Sequence, residues 1–161
     1  MTDLPGVTMS VPSRLGVDAR FEDGELTLDL TPQPETLHHG IVRASVLSYA
    51  IDVVAGITVD QDPDVWTLTT DLSVRMRTLP APEHILVANT ILRAGRRSVT
   101  CKVELTIDDG TPIATGAVGF VRVPRRETDA PKPLVTPELA ASFFRDLGTL
   151  SRPLREEAGS R

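Results

Sequence analysis

A chain of 161 residues is the size of one ordinary domain, long enough to bury about two-thirds of the surface that its unfolded form exposes. With 40% hydrophobic and 24% charged residues the composition is globular, and a net charge of −5 argues against a general nucleic-acid binder, which needs a dominant positive field. A single cysteine excludes an internal disulfide and gives no sign of an oxidising compartment.

Residues 1–16 contain Pro5 and Pro12 without sustained periodicity and read as an arm. They carry neither the basic start nor the apolar run of a signal peptide, which points to a cytoplasmic protein. A hairpin follows. Val17 to Phe21 and Glu25 to Leu30 flank Glu22-Asp23-Gly24, and Leu26, Leu28 and Leu30 alternate with Thr27 and Asp29. Pro32 and Pro34 break the second strand, and an almost wholly apolar segment then predicts a long helix that begins near Gly40 and ends at Gly56. At about 100° per residue, Ser45, Ser48 and Asp52 share one narrow stripe, while Ile41, Val42, Leu47, Ala50, Ile51, Val53 and Val54 spread over much of the remaining circumference. Such a helix belongs inside the protein. Taking an unpaired carboxylate out of water costs several kcal/mol, so Asp52 needs a partner or a task. Ser45 and Ser48 also have an ordinary use, donating to backbone carbonyls within the helix.

Beyond a polar loop from Asp60 to Asp64 the period changes to two. Trp66, Leu68, Leu72, Val74 and Met76 are opposed by Thr67, Thr69, Asp71, Ser73, Arg75 and Arg77, a strand with one wet face. Pro80 and Pro82 end it, and further strands run from Ile85 to Arg93, Ser98 to Ile107 and Ile113 to Val123. The connections Ala94-Gly95-Arg96 and Asp108-Asp109-Gly110 are short, which requires antiparallel neighbours. Cys101 falls in the inward set with Val99, Val103, Leu105 and Ile107 and reads as inert core. The sum is an α+β layout: a curved antiparallel sheet of about six strands wrapped around one long helix inserted after the second strand.

Residues 127–161 form a separate extension with prolines at 131, 133, 137 and 153. Thr136-Pro137-Glu138 starts a short helix whose Leu139, Phe143 and Leu147 make one apolar stripe before Gly148, and the chain beyond Ser151 is expected to fray. The organisation is therefore an arm over 1–16, a body over 17–126 and an extension over 127–161.

The one cysteine and the histidines His38, His39 and His84 match no structural zinc spacing, and there is neither a phosphate-binding glycine loop nor a nucleophile elbow. The positive candidate is Leu37-His38-His39-Gly40, which leads into the helix; the first free N–H groups there suit an anion or a carbonyl oxygen that gains negative charge. An exposed helix entry without chemistry is the plain alternative for the histidine pair, as an ion pair with an arginine is for Asp52. Arginine outnumbers lysine fifteen to two, which serves either phosphate recognition by guanidinium forks or nothing beyond the base composition of a genome.

Leu37-His-His-Gly40 before an apolar helix with Asp52-Val-Val-Ala-Gly56, then Thr69-Thr-Asp-Leu-Ser-Val-Arg75, Leu92-Arg-Ala-Gly-Arg-Arg-Ser98 and Asp109-Gly-Thr-Pro-Ile-Ala-Thr-Gly116, resembles the hot-dog-fold acyl-CoA thioesterases of the phenylacetate-pathway and 4-hydroxybenzoyl-CoA type. The resemblance spans about residues 17–124. It implies a sheet wrapped on a central helix, two chains pairing their sheets into one layer, and an active site between subunits. Carried over by position, His39 and Gly40 match the family's His-Gly-Gly motif, Asp52 its helix carboxylate and Thr69 a strand hydroxyl that positions water. Arg96 and Arg97 match the turn that takes the nucleotide end of coenzyme A, with Arg125-Arg126 a weaker candidate. Two departures stand out: Ile41 replaces the second glycine, and Asp52 lies thirteen residues after His39, about one turn beyond the usual spacing. Alignment on Gly40 instead puts Ser48 at the carboxylate position, where it would contact substrate.

The implied activity is hydrolysis of an acyl- or aryl-CoA thioester to free acid and coenzyme A, with Gly40 N–H holding the oxyanion and Asp52 of a neighbouring subunit acting as base or nucleophile. Coenzyme A enters as part of the substrate, and no other cofactor, metal, nucleic acid or membrane is implied; the chain would self-associate to a dimer or tetramer. A non-catalytic acyl-CoA carrier or sensor on the same scaffold is the alternative. An enoyl-CoA hydratase needs Asp and His together on one loop, of which His39 supplies half.

Overall fold

The computed structural model describes residues 14–77, 80–132 and 134–141. Strands β1 (Val17–Glu22) and β2 (Glu25–Leu30) form the first hairpin, and a small ribbon of β3 (Leu37–His38) and β4 (Ile41–Val42) precedes helix α1 (Ala44–Val59). Four strands follow: β5 (Val65–Met76), β6 (Ile85–Ala94), β7 (Ser98–Thr106) and β8 (Pro112–Pro124). The main sheet has six antiparallel strands in the order β1-β2-β6-β7-β8-β5, as the alternation and the short turns required. No helix among the described residues is long and apolar enough to cross a membrane.

Helix α1 starts four residues later than the sequence suggested. The reason is the ribbon: His39 and Gly40 adopt φ of 51° and 76°, the left-handed pair of a two-residue hairpin turn, which no right-handed helix contains. Arg43 is the N-cap residue, in extended conformation. At the other end Gly56 does not stop the helix, which runs on to Val59 and closes with the Asp60 N–H on Gly56 O at 2.9 Å. The burial of α1 is also one-sided. Val46, Leu47, Ala50, Ile51, Val54, Ala55 and Val59 pack into the core at helical spacing, whereas Ser48, Tyr49, Asp52, Val53, Gly56 and Ile57 stay partly open on the other side.

The core lies between α1 and the concave side of the sheet, where Leu28, Leu30, Val87, Val103, Leu105 and Val118 have no exposed surface. Gly116 marks the closest approach of helix and sheet, since a Cβ there would lie 2.6 Å from Ile51 Cγ2. Cys101 is fully buried, and burial pushes its thiol up despite the neighbouring Asn89 amide, consistent with an unreactive core group.

The edge strand β5 departs from simple alternation. A register shift between Thr69 and Asp71 inserts one residue, so Thr69 pairs with Phe120 and Leu72 with Val118, both on the helix side. Trp66 and Leu68 therefore face away from α1, while Thr67, Thr69, Leu72, Val74 and Met76 face toward it, in place of the single apolar face expected from the sequence.

Candidate functional site

Asp52 sits on the partly open side of α1 beside β5, and Thr69 Oγ1 donates a hydrogen bond to its Oδ1 at 2.8 Å. The extra residue in β5 makes this contact, because strict alternation would have turned Thr69 to the far face with Ser73 and Arg75. Thr70, at the bulge, bonds to Gly119 O at 3.1 Å and to Asp71 Oδ2 at 3.1 Å, which holds the kink.

A groove of about 540 Å³ opens from Asp52 along the helix, lined by Asp52, Val53, Gly56, Ile57, Val135, Leu139 and Ala140. Next to it a hollow of about 210 Å³ reaches Thr67, Thr69 and Phe120. Asp52 borders both and, among the described residues, is the only charged side chain on the larger one. The acid thus has both a partner and access to an apolar recess.

One wall of the groove comes from the C-terminal extension, which is clasped to the end of α1. Lys132, with only 2% of its side chain exposed, places Nζ at 2.5 Å from Asp60 Oδ1, 2.9 Å from Asp62 O and 2.7 Å from Val65 O. The Trp66 ring lies 5.8 Å from that ammonium and 5.4 Å from the Arg125 guanidinium, and its Nε1 donates to Asp129 Oδ2 at 3.2 Å. The Arg126 N–H, the Trp66 indole and the Arg125 charge hold the Asp129 carboxyl below its usual range. Gln61 Nε2 then reaches Val135 O at 3.0 Å, and Thr136 Oγ1 accepts from Leu139 N at 3.2 Å, capping a helical turn over 137–141. Ala140 and Ala141 are buried while Leu139 is 55% exposed toward the groove; Phe143, Leu147 and the chain beyond Ser151 lie outside the described residues.

The other residues singled out from sequence are scattered more widely. His39 and Gly40 are exposed in the ribbon turn, the His38 and His39 rings meeting edge to face at 4.2 Å, and Gly40 O accepts from Ala81 N at 2.8 Å. Gly40 is thus not at the helix start. That place belongs to Ala44 and Ser45, whose N–H groups precede the first helical donors, Val46 and Leu47, both bonded to Arg43 O. Ser48 Oγ donates to Ala44 O at 2.8 Å, the ordinary use of a helix serine. Arg96 and Arg97 are exposed in the β6–β7 turn, and Arg97 O accepts from Arg122 N at 2.8 Å. Because Arg122 pairs with Thr67, that turn lies about two strand spacings, roughly 10 Å, from the Asp52 groove. Arg125 is committed to the clasp, bonding to Pro63 O and Ala130 O, which removes it from phosphate contact. Lys132 went unnoticed in the sequence; its one signal was a lysine between Pro131 and Pro133 in a chain with fifteen arginines and only one other lysine, Lys102. Among the described residues no group of three or more His, Cys, Asp or Glu is placed to hold a metal ion.

A six-stranded antiparallel sheet folded on one helix, with a carboxylate on the helix's open side, defines the hot-dog class. Solved structures agree in fold. A thioesterase from Haemophilus influenzae superposes with a TM-score of 0.66 at 10% identity, over 76% of this chain and 89% of that one. A mutant thioesterase from Pseudomonas aeruginosa gives 0.64 at 18% identity, over 72% and 87%. A Bacillus halodurans protein solved with CoA gives 0.62 at 18% identity, over 70% and 75%. No curated protein matches the chain. The profile of the acyl-CoA thioesterase C-terminal domain matches residues 13–117, and the chain belongs to that family. It is accordingly a thioester hydrolase.

Proposed function

We propose that the protein hydrolyses acyl-CoA thioesters, with acyl or aryl chains, to free acid and coenzyme A. The observation that carries this reading is Asp52, held by Thr69 and opening into an apolar groove. In the reaction Asp52 takes a proton from water as the water oxygen bonds to the thioester carbon. Collapse of the tetrahedral intermediate breaks the C–S bond, and the proton passes to the departing thiolate. Thr69 fixes the carboxylate oxygen that faces it.

The negative oxygen of the intermediate needs donors. The N–H groups of Ala44 and Ser45, at the positive end of α1 and without a backbone partner among the described residues, suit this better than Gly40, which the hairpin turn holds away from the helix. Within one chain Asp52 lies about 12 Å along the axis from Ala44, too far for both to meet one carbonyl. A second copy resolves this. The edge of β5 is twelve residues long with no partner strand on its outer side among the described residues, and it exposes Leu72 and Met76 at 38% and 37%, which favours pairing of two copies there. Helix start and carboxylate would then come from different subunits. Arg96 and Arg97, fork-shaped cations about two strand spacings from the groove, are our candidates for the phosphates of coenzyme A. A lone, fully buried cysteine fits a cytoplasmic setting.

The test is thiol release from a panel of aliphatic and aryl acyl-CoAs. Asp52→Asn and Asp52→Ala should each lose about 100-fold or more in kcat; undiminished turnover in both removes Asp52 from the mechanism. Tight acyl-CoA binding without thiol release by the parent protein would make it a carrier instead.

A further inference from the structure

We infer that residues 134–141 of the C-terminal extension are the selectivity wall of this site, that the groove they close takes an extended aliphatic acyl chain, and that Lys132 is the residue that positions the wall. The inference rests on the thioesterase reading for the identity of the head group and on the groove for the rest.

An ammonium is withdrawn from water at large cost unless each of its protons is used. Lys132 uses all three, on the Asp60 carboxylate and the Asp62 carbonyl after α1 and on the carbonyl of Val65 at the start of β5. The loop between α1 and β5 also supplies Gln61, which bonds to Val135 O. These contacts fix the segment that follows Lys132 to the end of α1 and so set the distance from Val135 and Leu139 to Val53 and Ile57. Without the clasp the groove would have one wall.

The shape favours a chain over a ring. From Asp52 to Ile57 the floor runs about 7.5 Å along the helix axis, and Gly56 toward its far end leaves open space, since a Cβ there would meet nothing within 4 Å. Val53, Ile57, Val135, Leu139 and Ala140 offer no polar group to an aryl substituent, and the groove volume of about 540 Å³ falls within the range of small-molecule sites. With the thioester carbon at Asp52, this recess is the apolar surface continuous with the reacting atoms. The occupant is therefore the acyl tail, not a second copy of the chain.

The experiment uses the full chain and non-hydrolysable alkyl-CoA thioethers of increasing length, with binding measured by calorimetry. The parent should bind about two- to fourfold more tightly per added methylene until the groove is filled. Gly56→Leu, placed in open space, should flatten that dependence, the loss of affinity growing with chain length. Lys132→Ala should flatten it as well, and Lys132→Arg should restore part of it. Because Lys132→Ala could compromise folding, the Gly56→Leu result decides. A parent with no length dependence, or a Gly56→Leu protein whose dependence equals the parent's, overturns the inference. So does a change of oligomeric state in Gly56→Leu with the length dependence intact, since the groove would then hold a second copy. Length-dependent binding without hydrolysis would sink the enzymatic reading alone, whereas hydrolysis with length-independent binding would sink this inference alone.

Discussion

Gly116 sets how closely α1 approaches the sheet, and replacing it with alanine is a sharp test of that geometry. The added methyl would lie 2.6 Å from Ile51 Cγ2 and 2.8 Å from Ile51 Cδ1. Apolar carbons pack at about 3.5–4.0 Å, so fully buried Ile51 must retreat by about 1 Å. Overpacking of this kind costs about 1–3 kcal/mol, and each kcal/mol lowers Tm by about 2–4 °C in a chain of this size. Asp52 follows Ile51 directly, so the same retreat stretches its 2.8 Å bond to Thr69, and a displacement of about 1 Å can cost up to about 100-fold in rate. Thermal melts and kcat are measured for Gly116→Ala, Ile51→Ala and the pair. Ile51→Ala alone should cost about 2–5 kcal/mol, and the pair should be less destabilised than the sum by about 0.5–3 kcal/mol, because the new methyl then fills the space Ile51 vacated. Strict additivity, with Gly116→Ala melting within about 1 °C of the parent, would refute the reasoning.

Thr69→Val keeps the shape and removes the donor to Asp52; kcat in steady-state kinetics should fall about tenfold with KM little changed, the discounted worth of one bond to a partly exposed carboxylate. Acid should loosen the clasp. The Asp129 carboxyl is held below its usual range, so its contribution is complete above the ordinary carboxylate pKa and is lost as pH falls through the folded value. Emission of Trp66, the single tryptophan, should therefore stay constant from neutral pH to about 5 and shift only below about 4. In Asp129→Asn that acid transition should be absent. Leu72→Lys places a cation on the exposed edge strand and should yield monomer in light scattering with loss of thioester hydrolysis; a fully active monomer would remove the second copy from the site.

Much of this architecture follows from local pattern. Short apolar runs between turns mark β6, β7 and β8 within a residue or two of their ends, with β7 alternating cleanly because one side lies on the core, and the apolar run around Ala50 announces a helix with Asp52 as its lone acid. Three features needed the folded chain. Positive φ at His39 and Gly40 takes Gly40 into a hairpin turn and moves the helix start to Ala44, although the two residues alone also suit a helix approach. The extra residue in β5 turns Thr69 toward Asp52, a change of face that the alternation of side chains before and after it does not reveal. The Lys132 clasp joins positions some seventy residues apart, so the cost of burying the ammonium is met only when both segments are in place. Periodicity along a chain records which side of an element is dry. Which two sides meet depends on distances between segments, and these are settled only when the whole molecule packs.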